Sequence, residues 1–145
     1  MLKKSLLLLL LSTFVLMAGA AFPSGFVVPG GILDTGSLKE GLKGVAYTVV
    51  KGDKIVSFPV TVLSVLPSSK TPRSLILIKA SGPVIERTGG IAAGMSGSPV
   101  FVDGKLIGAI GYGWSFSEHE MGLVTPIGEM AEIWNWPDRI PSIDL

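Results

Sequence analysis

The feature that most restricts the fold is the alternation between Ile55 and Leu66. Val56, Phe58, Val60 and Val62 occupy one parity, while Ser57, Pro59, Thr61 and Leu63 occupy the other. A period of two puts one set on a single face of an extended strand, whereas a helix would scatter it. Lys43–Val50 repeats the pattern, with Val45, Tyr47 and Val49 on one face, and Lys51-Gly52-Asp53-Lys54 between them is turn chemistry. The two segments predict a β-hairpin. Pro59 has no N–H to donate, which predicts an edge or a bulge there. Ser74–Ala80 is a continuous apolar strand through Leu75-Ile76-Leu77-Ile78, expected to be covered on both faces.

A second hairpin follows a connection over Ser81–Ala93 that contains Gly82-Pro83 and Gly89-Gly90. Ser98–Val102 leads in, Asp103-Gly104 turns and Lys105–Tyr112 returns; Asp-Gly between two apolar runs is a strong hairpin signal. Gly113–Glu120 reads as a polar loop and Met121–Val124 as a short strand. Pro126–Trp136 reads as a terminal helix with Ile127, Met130, Ile133 and Trp134 as its apolar stripe. Many short strands with one late helix predict a mainly β domain, a barrel or a sandwich.

The first twenty residues stand apart. Lys3 and Lys4 precede an apolar run from Leu6 to Leu16, and Ala18-Gly19-Ala20 supplies the small residues of a signal-peptidase site. The run is shorter than the ~20 apolar residues of a bilayer-spanning helix. We expect a signal peptide over 1–20, a linker or extended arm over 21–37, one domain over 38–136 and a tail over 137–145. The mature chain is then exported, to a periplasm, cell envelope or exterior. The alternative is an uncleaved anchor, which is the sole membrane contact expected. The chain has no cysteine, so burial alone must hold the domain together. A formal net charge of +1 with no basic cluster in the mature part argues against nucleic acid as a partner. Asp34, Asp53 and Asp103 are turn residues without metal-ligand spacing to any histidine, so neither metal nor cofactor is expected.

The segment that carries chemistry is Gly94-Met95-Ser96-Gly97-Ser98-Pro99, directly before the second hairpin. A serine nucleophile must project its hydroxyl outward while nearby N–H groups converge on the developing oxyanion. Flanking glycines permit that curled backbone and leave room for substrate. Ser96 is the candidate nucleophile, and the N–H groups of Gly94 and Ser96 are the candidate oxyanion donors. The return strand brings Tyr112, Gly113 and Trp114 back beside Ser96. They are candidate substrate-binding residues, because a strand edge can take an extended peptide by β-augmentation.

Together these segments resemble the SpoIVB serine peptidase family of the chymotrypsin-like superfamily. The likeness runs from about Lys39 to Ile133. It includes Lys39-Glu40-Gly41, the Lys51–Phe58 hairpin, Thr88-Gly89-Gly90-Ile91, the Gly94–Pro99 signature and Gly104-Lys105-Leu106-Ile107-Gly108-Ala109. The resemblance implies an antiparallel β-barrel of trypsin-like type, one barrel of two, in a short or partial family member. It also implies Ser96 as nucleophile for peptide-bond hydrolysis. The family's base is a histidine in an upstream Gly-His segment, which this chain lacks. The family's acid lies about fifteen residues before the serine, near Ser81-Gly82, where no carboxylate stands and Glu86 is nearest.

His119 is the single histidine and therefore the one internal imidazole, flanked by Glu118 and Glu120. A partner chain or a longer parent sequence are the other sources of a base. A Ser-Lys dyad through Lys70, Lys79 or Lys105 would need a buried lysine, and the pattern buries none. Two functions stay open: a serine endopeptidase, and a non-catalytic exported barrel that binds an extended peptide or envelope protein along Tyr112–Trp114.

Overall fold

A computed structural model describes residues 28–67, 73–113 and 118–135. The six strands are β1 (Lys43–Val49), β2 (Ile55–Pro67), β3 (Ser74–Ala80), β4 (Pro99–Val102), β5 (Lys105–Gly113) and β6 (Met121–Pro126). They close into a barrel in the order β1-β2-β3-β6-β5-β4, with every neighbouring pair antiparallel. This is the expected one-barrel architecture with a short C-terminal helix, α2 (Ile127–Ala131), continued by a 3₁₀ turn over Glu132–Asn135. Four of the five strand-to-strand steps join barrel neighbours; the step from β3 to β4 crosses between strands that do not pair.

The alternation of β2 points Phe58, Val60 and Val62 inward, where each is at most 1% exposed. Ile76, Ile78, Val100, Val102, Ile107 and Val124 meet them with no exposed surface. Leu75 and Leu77 are half-buried, so β3 is covered on both sides but unevenly. In β1 the inner face is the small one. Ala46 and Thr48 point inward, while Tyr47 and Val49 stand on the outside, 42% and 43% exposed. Tyr47 meets Phe101 of β4 edge-on, with ring centroids 5.8 Å apart. Small inner residues suit the closure: a Cβ on Gly44 would run into the Phe101 carbonyl. Pro59 sits at neither an edge nor the bulge, which falls at Val62/Ser64. Its carbonyl accepts from Ser81 N–H at 3.0 Å, so its donorless nitrogen faces the end of the β3 ladder, past the last pair Val60↔Ala80.

The turn Asp103-Gly104 has φ of 50° and 74°, the left-handed pair that tight hairpins prefer. One element was not expected. Pro83–Thr88 is a helix, α1, with Gly82 before it and Gly89 at φ 70° closing it. The Gly-Pro and Gly-Gly pairs are thus its start and stop signals. At the other end, Pro126 finishes β6 opposite Gly108 and precedes α2. Ala131 alone is buried in α2, and Ile133 and Trp134 beyond it are each 59% exposed, so the expected stripe is not packed. Of the arm, Ile32 bridges Leu106 and Leu33 packs against the core. The segments 1–20 and 137–145 and Trp136 lie outside the described residues.

At Gly108, a Cβ would collide with the Thr125 carbonyl of the neighbouring strand. Gly108→Ala is expected to destabilise the barrel by about 2 kcal/mol or more. Gly128→Ala, on α2 with open space around it, should change stability by less than about 1 kcal/mol, in the stabilising direction. Urea denaturation of the two variants checks both; equal midpoints would refute the close approach.

Candidate active site

The crossing connection from β3 to β4 builds the site. After α1, Gly90 presses its main chain against His119; a Cβ there would overlap the His119 Cβ and carbonyl carbon. Ile91 N–H donates to the His119 carbonyl at 2.7 Å. Ala93–Met95 then makes a single 3₁₀ turn, and Ser96 caps it. Met95 is 2% exposed and anchors the turn from below, which leaves Ser96 on the surface above it. Gly97, at φ 87°, takes the left-handed step that only glycine adopts without strain. Its N–H donates to the Ile110 carbonyl at 2.7 Å, and Ile110 N–H returns to the Ser98 carbonyl at 2.9 Å. The turn is therefore bound to β5 before β4 begins.

The candidate oxyanion donors are only partly arranged for that work. Ser96 N–H points back to the Ala93 carbonyl at 3.3 Å, and Met95 N–H to Ala92 at 2.9 Å. No atom lies within 4 Å of where a Cβ on Gly94 would sit, so the space before it is open. A carbonyl of the turn occupies the Ser96 amide that a substrate oxygen would need.

The strand edge beside the turn is present. The β4–β5 ladder runs no further than Pro99↔Ala109, and the last bonds on that side are those of Ile110. Among the described residues, Tyr112 and Gly113 pair only with Leu123 and Gly122 of β6. Tyr112 is 61% exposed. Trp114 lies outside the described residues, as does Lys70.

His119 lies in the turn before β6 and is exposed. It lines an open cavity of about 490 Å³ together with Lys79, Glu86, Glu118 and Glu120; Ser96 is not among the lining residues. Among the described residues no hydrogen bond reaches the Ser96 hydroxyl. Lys79 is held by Glu120 at 3.3 Å and Glu118 at 3.5 Å. The hydrogen bond to Glu120 and the charge of Glu118 raise its pKa above the ordinary 10.5. A dyad base needs the opposite shift. Lys105 opens β5 opposite Val102, at the far end of the hairpin from Ser96. The described residues hold no group of three His, Asp or Glu placed to hold a metal ion.

One feature of the site leaves no local signal in the sequence. Ser98 and Thr48 form a buried hydroxyl pair, Ser98 Oγ donating to Thr48 Oγ1 at 2.8 Å. The two are 50 positions apart in the chain.

The profile of the SpoIVB peptidase S55 family matches residues 32–130. No curated protein matches the chain in sequence. Among solved structures, the HtrA-type protease AlgW with a decapeptide superposes with a TM-score of 0.56 at 16% identity, covering 72% of this chain and 31% of that one. Rv3671c from M. tuberculosis H37Rv, an inactive form carrying one serine-to-alanine substitution, gives 0.51 at 19% identity, covering 68% and 48%. The active form of that protease from M. tuberculosis gives 0.50 at 19% identity, covering 72% and 46%. These likenesses are of fold, and the chain spans less than half the length of each protein.

The Lys79 cluster has a pH signature of definite sign. A lysine whose folded pKa is raised contributes stability that is complete below its unfolded value of 10.5. That contribution is lost as pH rises through the higher folded value. NMR should therefore show the Lys79 signal titrating above 10.5, with Glu118 and Glu120 resonances moving in step, and Lys79→Met should abolish that step. Titration below 10.5 would sink the ion-pair reading and restore Lys79 as a dyad candidate.

Proposed function

This chain belongs to the SpoIVB peptidase S55 family, and we propose from that premise that it is the nucleophile-bearing barrel of an exported serine peptidase. In this reading a signal peptide is removed after Ala20 and the barrel works outside the cytoplasm. The observation that carries the reading is the exposed Ser96 at the tip of a turn bound to β5, next to an unpaired strand edge. A peptide lies along Gly111–Gly113 and adds a strand there. The Ser96 Oγ attacks the scissile carbonyl carbon, its proton passes to a base, and the carbonyl oxygen gains negative charge. Collapse of that intermediate breaks the C–N bond, the amine leaves with the proton, and water then frees the acyl group from Ser96.

The oxyanion site forms by one local change. The Ala93 carbonyl and the Gly94 N–H belong to the same peptide plane. Turning that plane over removes the acceptor from Ser96 N–H and brings Gly94 N–H to the same side. Both donors then face one point, and the open space before Gly94 permits the rotation. Bound peptide favours the turned form because its carbonyl oxygen replaces the Ala93 oxygen. The base is an imidazole from outside this barrel; His119, whose main chain is tied to Ile91, is the internal alternative.

A fluorophosphonate probe tests the reading. Wild type should label at one site and Ser96→Ala not at all. Labelling should be slow, because a missing base costs several orders of magnitude (roughly 10³–10⁶-fold). An external base predicts that His119→Ala labels like wild type; loss of labelling would make His119 the base. No labelling of wild type, or equal labelling of Ser96→Ala, would refute a working nucleophile.

The second reading is a non-catalytic barrel that binds an extended peptide or envelope protein on the same edge. It is favoured by the Ser96 amide being engaged within its own turn and by the unpaired hydroxyl among the described residues. Capture of partners from envelope extract should then fall for Tyr112→Ala and Trp114→Ala, and should persist for Ser96→Ala. Unchanged capture by the Tyr112 and Trp114 variants would exclude that edge as the binding surface.

A further inference from the structure

Two polar side chains are buried among the described residues, Thr48 at 6% exposure and Ser98 at 7%, and they bond to each other. Their positions follow a rule of the sheet. The β1–β4 ladder pairs Gly44 with Val102, Val45 with Phe101 and Ala46 with Val100. The same register carried two residues further sets Thr48 opposite Ser98. The main-chain ladder has stopped by then, since Pro99 has no N–H to give and the chain is curling into the serine turn. A hydroxyl pair stands where the next ladder pair would be.

Ser98 is consequently held on three sides. Its N–H donates to Met95 at 3.1 Å, its carbonyl accepts from Ile110 at 2.9 Å, and its hydroxyl donates to Thr48. Ser96 lies two residues before it, between the Met95 anchor and the Gly97 bond to β5. Two of the restraints come from the turn and from β5, and among the described residues only Thr48 ties the turn to β1. We infer that Thr48 is a positioning residue for Ser96: its buried hydroxyl fixes Ser98 from β1 and so sets the height of the serine turn over the barrel end. This inference rests on the reading of Ser96 as nucleophile.

The physical case is directional. Any displacement of the turn would break the bond and leave two hydroxyls unpaired in an apolar interior, which is costly. An apolar pair of the same size would fill the space but tolerate sliding, because dispersion contacts have no preferred direction. Reaction of a serine is sensitive to sub-ångström placement of its oxygen, so a directional tie matters there beyond the stability it adds.

Three variants separate position from stability. Thr48→Val keeps the shape and removes the hydroxyl; Thr48→Ser keeps the hydroxyl; Thr48→Val with Ser98→Ala removes both partners. Two quantities are read. One is fluorophosphonate labelling, resolved into probe affinity and bond-forming rate. The other is amide exchange at Gly97 and Ser98, set against Val60 and Val124 in the barrel wall. In Thr48→Val we expect the bond-forming rate to fall about tenfold at unchanged probe affinity, the factor appropriate to one lost buried hydrogen bond. Exchange at Gly97 and Ser98 should rise by a similar factor while the wall is unaffected. Thr48→Ser should restore both. The double variant should regain thermal stability, having no unpaired hydroxyl, without regaining the rate. A double variant with wild-type rate and wild-type exchange would overturn the inference and make the pair a packing feature. If wild type does not label at all, the nucleophile reading falls by itself. The anchor is then judged by exchange alone: faster exchange at Gly97 and Ser98 in Thr48→Val sustains it, and unchanged exchange overturns it.

Discussion

The closure of β4 onto β1 is the contact on which the rest depends. It is short, three residue pairs, yet it converts an open sheet with two free edges into a barrel with none along those strands. It also needs close backbone approach at Gly44, where a Cβ would run into the Phe101 carbonyl of β4. Without this seam β4 would be an edge strand held by β5 alone, and the crossing connection would be fixed on one side of the barrel mouth only. With it, residues 93–98 are stretched over the barrel end between α1 and β4, tied to β5 at Ile110 and to β1 at Thr48. The seam locates the serine turn.

Three irregularities shape the wall around that turn. Register shifts fall at Val62/Ser64, Val100/Phe101 and Ile110/Tyr112. A bulge bends its strand and sharpens the local twist, and a closed barrel of short strands requires such corners. The third has a local consequence as well. It sits where β5 leaves the turn, so Ile110 is bound to Gly97 and Ser98 while the residues after it have no partner on that side among the described residues. One irregularity thus ends the turn's attachment and begins the unpaired edge. The edge is short, Gly111 to Gly113, and Tyr112 beside it is exposed.

The sequence made parts of this legible for identifiable reasons. Asp103-Gly104 specifies a hairpin through its own backbone preferences, so no tertiary knowledge was needed. The β2 face was equally plain, because large apolar residues fill it. In β1 the larger residues Val45, Tyr47 and Val49 lie outside, and the small inner set became intelligible only once the seam was known. Helix α1 is not legible locally, because Gly82, Pro83 and Gly89 serve equally as loop markers and as what begins and ends a one-and-a-half-turn helix. The site divides the same way. The exposed, glycine-flanked turn at Ser96 and Gly97 is legible from local chemistry. The Thr48–Ser98 bond spans 50 positions and arises from barrel closure, which no local window contains.

Placement and power are separate matters in this barrel. The scaffold fixes the Ser96 turn through buried Met95, a left-handed Gly97, two bonds to β5 and a hydroxyl tie to β1. None of these activates the oxygen. Activation requires a proton acceptor within hydrogen-bond reach and two amides turned toward one point. The titratable cluster of Lys79 with Glu118 and Glu120 satisfies itself, and its lysine is driven further from neutrality by the carboxylates that hold it. The amide of Ser96 is likewise satisfied, by Ala93. Of the groups that chemistry would need, the Ser96 amide is held by an internal partner, while the Ser96 hydroxyl takes no hydrogen bond among the described residues. On the peptidase reading proposed for this chain, that amide is freed only if something binds it better than Ala93 does, and an extended peptide on the Gly111–Gly113 edge would do so by presenting a carbonyl oxygen to the turn.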